Sequence, residues 1–324
     1  MPDARHGIWH LASGIWHLAS GIFGFMRQSI TAAIASLLIA TTLGAQRSNL
    51  VTPASWLAAH ATDPNLVILH VGDRAEYEKG HVPGARYVAT ESLFVSDRTG
   101  SGLTLEMLPP DRLHDALEGL GISNNSRVVV YYDGERIALA TRVIFTLDYA
   151  GLGDHTSLLD GGIKGWTRAS NELSMTPAPA KRGSLAALAL KPIIVNADYV
   201  RSHVKSAGFS VVDGRTTAFY DGAQTGGGRG MPHKTGHIAG AKSVPYTDLV
   251  DTDWLLKTPE QLGALFAKAG VAKGDTIVGY CHIGQQATAM LFAARTLGFP
   301  VLLYDGSFED WSRRDLPVET KPKP

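Results

Sequence analysis

Cys281 is the only cysteine in this 324-residue chain, and its neighbours are those a nucleophile needs. It follows a short apolar strand, Thr276-Ile277-Val278-Gly279-Tyr280. It opens a tight loop, Cys281-His282-Ile283-Gly284-Gln285-Gln286, and a helix-patterned stretch starts at once with Ala287-Thr288-Ala289-Met290-Leu291-Phe292. In such a strand–loop–helix turn the backbone N–H groups point into the loop, and the helix N-terminus adds partial positive charge. Both favour a thiolate over a thiol. The chemistry implied is attack by sulfur, with a covalent intermediate on the protein. The competing reading is a small core residue, since free cysteines are among the most often buried types.

Composition narrows the alternatives. Thirty basic residues balance thirty acidic ones, which gives no reason to expect a nucleic-acid partner. A single cysteine excludes an internal disulfide and every multi-cysteine zinc site, and no H-E-x-x-H motif is present, so neither a metal nor another cofactor is expected. Phosphatase chemistry of the Cys-x5-Arg type needs an arginine six residues after the cysteine, and Ala287 stands there.

The elements that must position Cys281 occur twice. Gly80-His81-Val82-Pro83-Gly84-Ala85 returns as Gly236-His237-Ile238-Ala239-Gly240-Ala241, and the helical stretch from Pro110 to Ile122 returns from Pro259 to Val271. The strand ending at Tyr132 matches the one ending at Tyr280, and Leu158-Leu159-Asp160-Gly161-Gly162 with Trp166 matches Leu303-Tyr304-Asp305-Gly306-Ser307 with Trp311. Short all-apolar runs alternate with helical patterns in each copy, which predicts buried parallel strands joined by helices, an α/β layer fold. The expected domains are 50–175 and 190–318, joined by a Pro/Ala/Gly-rich linker at 176–189. Ligands in open parallel sheets bind beyond the carboxyl ends of the strands, where Cys281 lies.

With the doubled Gly-His-x-x-Gly-Ala motif, the Tyr-Asp-Gly-Ser-Phe-x-x-Trp run and the Cys-x-x-Gly loop in place, residues 50–318 resemble the tandem-domain rhodanese sulfurtransferases. The resemblance implies two rhodanese-like domains, each a small parallel sheet flanked by helices, with the nucleophile kept only in the second. Asp133 is expected at the first copy's counterpart of Cys281, and His70 and Gly72 stand where the second copy has Asp213 and Arg215. The family mechanism implies a double displacement. Cys281 takes the outer sulfur of a small anionic donor as a persulfide, and a thiol or cyanide acceptor removes it. Thiosulfate is the expected donor, with 3-mercaptopyruvate as the alternative and a non-catalytic sulfur carrier as the reading from another class.

The loop N–H groups from His282 to Gln286 are expected to cradle the persulfide, with Gly284 allowing the turn. His282 is a candidate for donor binding or for tuning the thiolate. Ile283 fits neither the basic pattern of thiosulfate-specialised relatives nor the Gly-Ser pattern of mercaptopyruvate-specialised ones. Gln285 and Gln286 replace the usual small and hydroxyl residues, and Gln286 is read as a loop-orienting or helix-capping side chain. Phe219 stands where the family often has a donor-gripping arginine. The missing charge is sought in Arg229 and, more weakly, Lys234, both in a glycine-rich segment read as a substrate loop. Asp213 and Arg215 are expected as an ion pair under the active loop, His81 and His237 as fold-supporting hydrogen bonds, Trp311 as core, and Ser307 as a possible pocket residue.

The N-terminus carries Gly-Ile-Trp-His-Leu-Ala-Ser twice in succession, which reads as duplicated DNA rather than selected structure over residues 1–25. Met26-Arg27-Gln28-Ser29, an apolar run from Ile30 to Ala40 and small residues to Ala45 then read as a secretory signal peptide over 26–45. An uncleaved anchor is the alternative. The expected location is therefore periplasmic or secreted, with no stable membrane association after cleavage.

Overall fold

Apolar runs at regular intervals build two sheets of identical plan. The computed structural model describes residues 47–321 apart from 48, 98–101 and 229–230, so the duplicated stretch, the signal segment and Arg229 lie outside the described residues. In the first copy the strands are β1 (Val51–Thr52), β2 (Leu66–Val71), β3 (Ala85–Tyr87), β6 (Arg127–Tyr132) and β7 (Thr156–Leu159), with a small hairpin of β4 (Phe94–Val95) and β5 (Glu106–Met107) on one side. The helices are α1 (Ala54–His60), α2 (Arg74–Lys79), α3 (Pro110–Gly119), α4 (Ile137–Tyr149) and α5 (Gly162–Arg168). The all-parallel sheet has the order β1-β7-β6-β2-β3.

The second copy repeats this with β8 (Ile194–Val195), β9 (Phe209–Asp213), β13 (Lys242–Ser243), β14 (Thr276–Tyr280) and β15 (Val301–Tyr304), in the order β8-β15-β14-β9-β13. Its helices are α6 (Ala197–His203), α7 (Thr217–Tyr220), α8 (Pro259–Lys268), α9 (Gln286–Thr296) and α10 (Ser307–Arg313). Two further pairs are short: β10 (Gly227–Gly228) with β11 (Met231–Pro232), and β12 (His237–Ile238) with β16 (Val318–Glu319). Each sheet carries helices on both faces, so its central strands are largely apolar and almost wholly buried, with His70 in β2 and Asp213 in β9 as buried polar exceptions. Local chemistry sets the helix starts. Asn196 Oδ1 accepts the Tyr199 N–H at 3.0 Å, and Thr258 and Gln261 form a reciprocal capping box before α8.

The Gly-His motifs do the same structural work in both copies. His81 Nδ1 lies 2.8 Å from Tyr77 O with its ring stacked on Tyr77, and His237 Nδ1 lies 2.7 Å from Tyr220 O stacked on Tyr220. Trp166 and Trp311 are likewise paired core residues, their indole N–H groups donating to Glu172 O and Pro317 O.

The copies face each other through α4 and α9, where Thr141 and Thr288 Oγ1 meet at 3.1 Å. One contact is exchanged reciprocally. Met107 N–H donates to Asp305 Oδ2 at 3.0 Å, and Leu256 N–H, the repeat counterpart, donates to Asp160 Oδ1 at 3.1 Å. The Asp-Gly turns shared by both copies thus serve the interface between them. The segment after residue 176 is strapped to the first copy, with Gly183 N–H on Glu118 O, Leu185 N–H on Glu118 Oε1, and Arg182 bound to Asp115 and Glu118. Among the described residues no helix is long and apolar enough to cross a membrane.

Candidate active site

Strand register fixes where Cys281 sits. Tyr280 pairs with Asp213 and Tyr131 pairs with His70, and each tyrosine hydroxyl accepts one N–H from its Gly-His motif, Ile238 for Tyr280 and Val82 for Tyr131. Tyr131 is therefore the counterpart of Tyr280, and Tyr132, not Asp133, is the counterpart of Cys281. The correction is a shift of one residue, and it changes what the first copy does at that point. Tyr132 reaches across the interface and donates to Trp254 O at 2.9 Å. Asp133 takes the place of His282, with its carboxylate held by His70 Nε2 at 3.2 Å, the Asp73 N–H at 2.9 Å and Arg136 Nη1 at 2.5 Å. Gly72, standing where the second copy has Arg215, makes room for it: a Cβ there would lie 2.1 Å from Asp133 Oδ2.

Cys281 is fully buried at the end of β14. Its N–H donates to Ser307 Oγ at 3.2 Å, and that hydroxyl donates to Tyr304 O at 2.9 Å. Ser307 adopts φ +52°, the conformation its counterpart Gly162 adopts at +56°. A side chain there is strained, so the hydroxyl is present at a cost of about 1 kcal/mol or more.

The loop carbonyls are turned outward. Cys281 O accepts Phe308 N–H and His282 O accepts Glu309 N–H, both at 3.0 Å, while Gly284 O accepts Arg142 Nη1 at 3.2 Å and Gln285 O accepts Thr288 N–H at 3.1 Å. Among the described residues, the N–H groups of His282 to Gln286 have no partner within the protein. Outward carbonyls and unpartnered N–H groups at the start of an eleven-residue helix make an anion cradle. Gly284 carries φ +78°, and a Cβ there would sit 2.8 Å from Asp305 O, so the turn needs glycine. Gln286 does not cap the helix, and its Oε1 is buried with no partner among the described residues.

Below the cradle, Arg215 and Asp213 form a fully buried pair, with Nη2 2.6 Å from Oδ2 and a further bond to Gly236 O. The guanidinium lies 4.1 Å from the Phe308 ring centroid. Burial disfavours the charged Arg215, but Asp213, with Tyr280 and Cys281 beyond it, outweighs this and raises its pKa.

His282 is held neutral. Burial first, then the charges of Arg215 and His233, bring its pKa down to about 3. Its ring meets Phe219 edge-on at 4.5 Å and His233 at 5.6 Å. The Nδ1 atoms of both histidines are buried and have no hydrogen-bond partner among the described residues. Gly226, where the glycine-rich segment begins, packs so closely against these rings that a Cβ would fall 2.5 Å from His282 Cε1. Lys234 does not point there. Its Nζ binds Leu316 O at 2.9 Å and Asp315 at 2.6 Å, tying the segment to the C-terminal strand region.

A cavity of 220 Å³ opens above Cys281, walled by His282, Ile283, Gln286 and Tyr246 of the second copy and by Glu135 and Arg136 of the first. The two copies build one site. Arg136, Tyr246 and Arg142 carry no motif that would single them out in the sequence. His237 is spent on Tyr220, while His233, which the sequence did not single out, faces His282.

Parallel five-stranded sheets repeated in tandem, with a cysteine loop at the strand ends of one, define a class of protein. The rhodanese-like domain model matches the chain twice, over residues 53–169 and 196–314, and the chain belongs to that family. Within it the chain falls with the tandem-domain sulfurtransferases. It is 34% identical over 281 residues to the 3-mercaptopyruvate sulfurtransferase of Escherichia coli (strain K12), covering 82% of this chain and 96% of that protein. It is 32% identical over 254 residues to the thiosulfate sulfurtransferase of Rattus norvegicus, covering 76% and 82% respectively. The fold is shared with the solved structure of wild-type EanB, with a TM-score of 0.74 at 24% identity over 86% of this chain and 70% of that one.

Proposed function

We propose that the chain moves a sulfane sulfur from thiosulfate to a thiol or cyanide through a persulfide on Cys281. The observation that carries this reading is the loop from Cys281 to Gln286, with every recorded carbonyl contact facing out and its N–H groups left without partners around the nucleophile. The Cys281 thiolate attacks the outer sulfur of the donor, the donor S–S bond breaks, and sulfite leaves with the electron pair. The acceptor then attacks the outer sulfur of the persulfide, and the Cys281 thiolate is released. No external oxidant or reductant is needed. The cradle stabilises negative charge on both sulfurs, and Arg215 adds charge from below.

A small tetrahedral oxyanion suits a 220 Å³ cavity beside the loop N–H groups, with Arg136, itself paired with Asp133 and Asp73, at its wall. One observation favours the second donor, 3-mercaptopyruvate. His282 is neutral, Ile283 is apolar and Lys234 is engaged elsewhere, so a monoanion asks less of the site than a dianion. The proposed place of action is the periplasm or the exterior, supported by the signal-like residues 26–45 and testable by cell fractionation.

The test is thiocyanate production from thiosulfate and cyanide, with Cys281→Ser as control. Turnover lost in the control supports the reading. Turnover seen only with 3-mercaptopyruvate and a thiol replaces the donor, and turnover with neither replaces the enzyme by a sulfur carrier.

A further inference from the structure

The first copy has no nucleophile, yet one of its side chains reaches the active loop. Arg142 lies midway along α4 and is fully buried. Its Nη1 donates to Gly284 O at 3.2 Å, its Nη2 donates to Leu105 O at 2.6 Å, and Nη2 lies 2.7 Å from Asp305 Oδ1. The last contact is an ion pair without hydrogen-bond alignment, and Arg142 Nε has no partner among the described residues. Asp305 is fixed in turn by the Met107 N–H, and the guanidinium sits 5.0 Å from the Phe94 ring centroid. One buried cation thus joins α4, the β4–β5 hairpin, the Asp305 turn and the nucleophile loop.

Peptide geometry gives this pin a chemical consequence. In a planar trans peptide the C=O and N–H point in opposite directions. Holding Gly284 O against Arg142 therefore directs the Gln285 N–H to the other side, with the unpartnered groups of the cradle. The other three outward carbonyls are held by groups of the second copy itself, Phe308, Glu309 and Thr288. Among the described residues, the Gly284 carbonyl alone of these four is held from across the interface, and Gly284 has the left-handed conformation, free to flip if released.

We infer that Arg142 is a positioning residue for sulfur transfer: by holding the Gly284 carbonyl it sets the cradle around Cys281, so that the cysteine-less copy completes the active site of the other. This rests on the Cys281 reading above.

The test compares wild type with Arg142→Met and Arg142→Lys, each first checked for a wild-type unfolding temperature. Three quantities are read: the rate of persulfide formation on Cys281 by intact mass, the kcat and KM of turnover, and amide exchange at residues 282–286. A folded Arg142→Met is expected to lose about tenfold to a hundredfold in kcat with a smaller change in KM, and to exchange faster at 282–286. Arg142→Lys keeps the charge beside Asp305 but cannot hold three oxygens in a fork, so it falls between the two. If the Met variant does not fold, the Lys variant carries the same readout. Wild-type kcat and loop protection in a folded variant overturn the inference. A wild-type protein that forms no persulfide would instead overturn the assignment of Cys281.

Discussion

Tyr132 and Cys281 occupy the same position in two copies of one fold, and they have been put to opposite uses. Tyr132 fills its pocket and spends its hydroxyl on Trp254 O of the other copy, whereas Cys281 faces a cavity that both copies wall. In the first copy this position is part of the interface. Tyr132→Phe should therefore weaken the junction between copies while leaving Cys281 in place. Losing one largely buried hydrogen bond is expected to cost about 1 kcal/mol and leave Trp254 O unpartnered. Chemical denaturation reads this as a lower midpoint; an unchanged midpoint would remove the strut from the account.

Ser307 tests whether a strained residue is kept for its hydroxyl. Ser307→Ala loses both hydrogen bonds and keeps the unfavourable φ of +52°, while Ser307→Gly loses the bonds and relieves the strain. The glycine variant should be the more stable of the two by about 1 kcal/mol. Both should turn over more slowly than wild type, because the Cys281 N–H is then unanchored. Equal stability of the two variants would mean the backbone does not hold that conformation.

His282 carries a pH signature. Its pKa lies near 3 in the folded protein against about 6.5 unfolded, so the unfolded chain binds more protons between those values. Stability from the neutral ring is fully present above about 6.5 and is lost as pH falls toward about 3. His233, also pushed down, mainly by burial, acts in the same direction. Titrating the unfolding midpoint should show an acid limb that is shallower in His282→Gln. An identical limb would place the proton uptake elsewhere.

Much of this is legible in the sequence alone. The apolar runs and repeated Gly-His and Asp-Gly motifs specify the two parallel sheets, because buried strands and the turns that end them leave strong local patterns. Cys281, Gly284 and the Asp213–Arg215 pair were legible for the same reason. The rest depends on which surfaces meet. Arg142 sits in a helix with buried side chains almost throughout, and a sequence does not say that the neighbour is another domain rather than its own sheet. Its signal was an arginine in a helix without a polar face. Lys234 failed differently: a long cation in a loop has several anionic partners in reach, and Asp315 is one that only the fold brings close. Tandem tyrosines at 131 and 132 hide a one-residue register shift that only strand pairing resolves.

The most direct test is the mass of the protein itself after exposure to thiosulfate and removal of excess donor, followed by peptide mapping. The account predicts one added sulfur atom, located on Cys281, discharged by cyanide and absent from Cys281→Ser. Prompt turnover with no sulfur gained, or a gain that survives in Cys281→Ser, would contradict it.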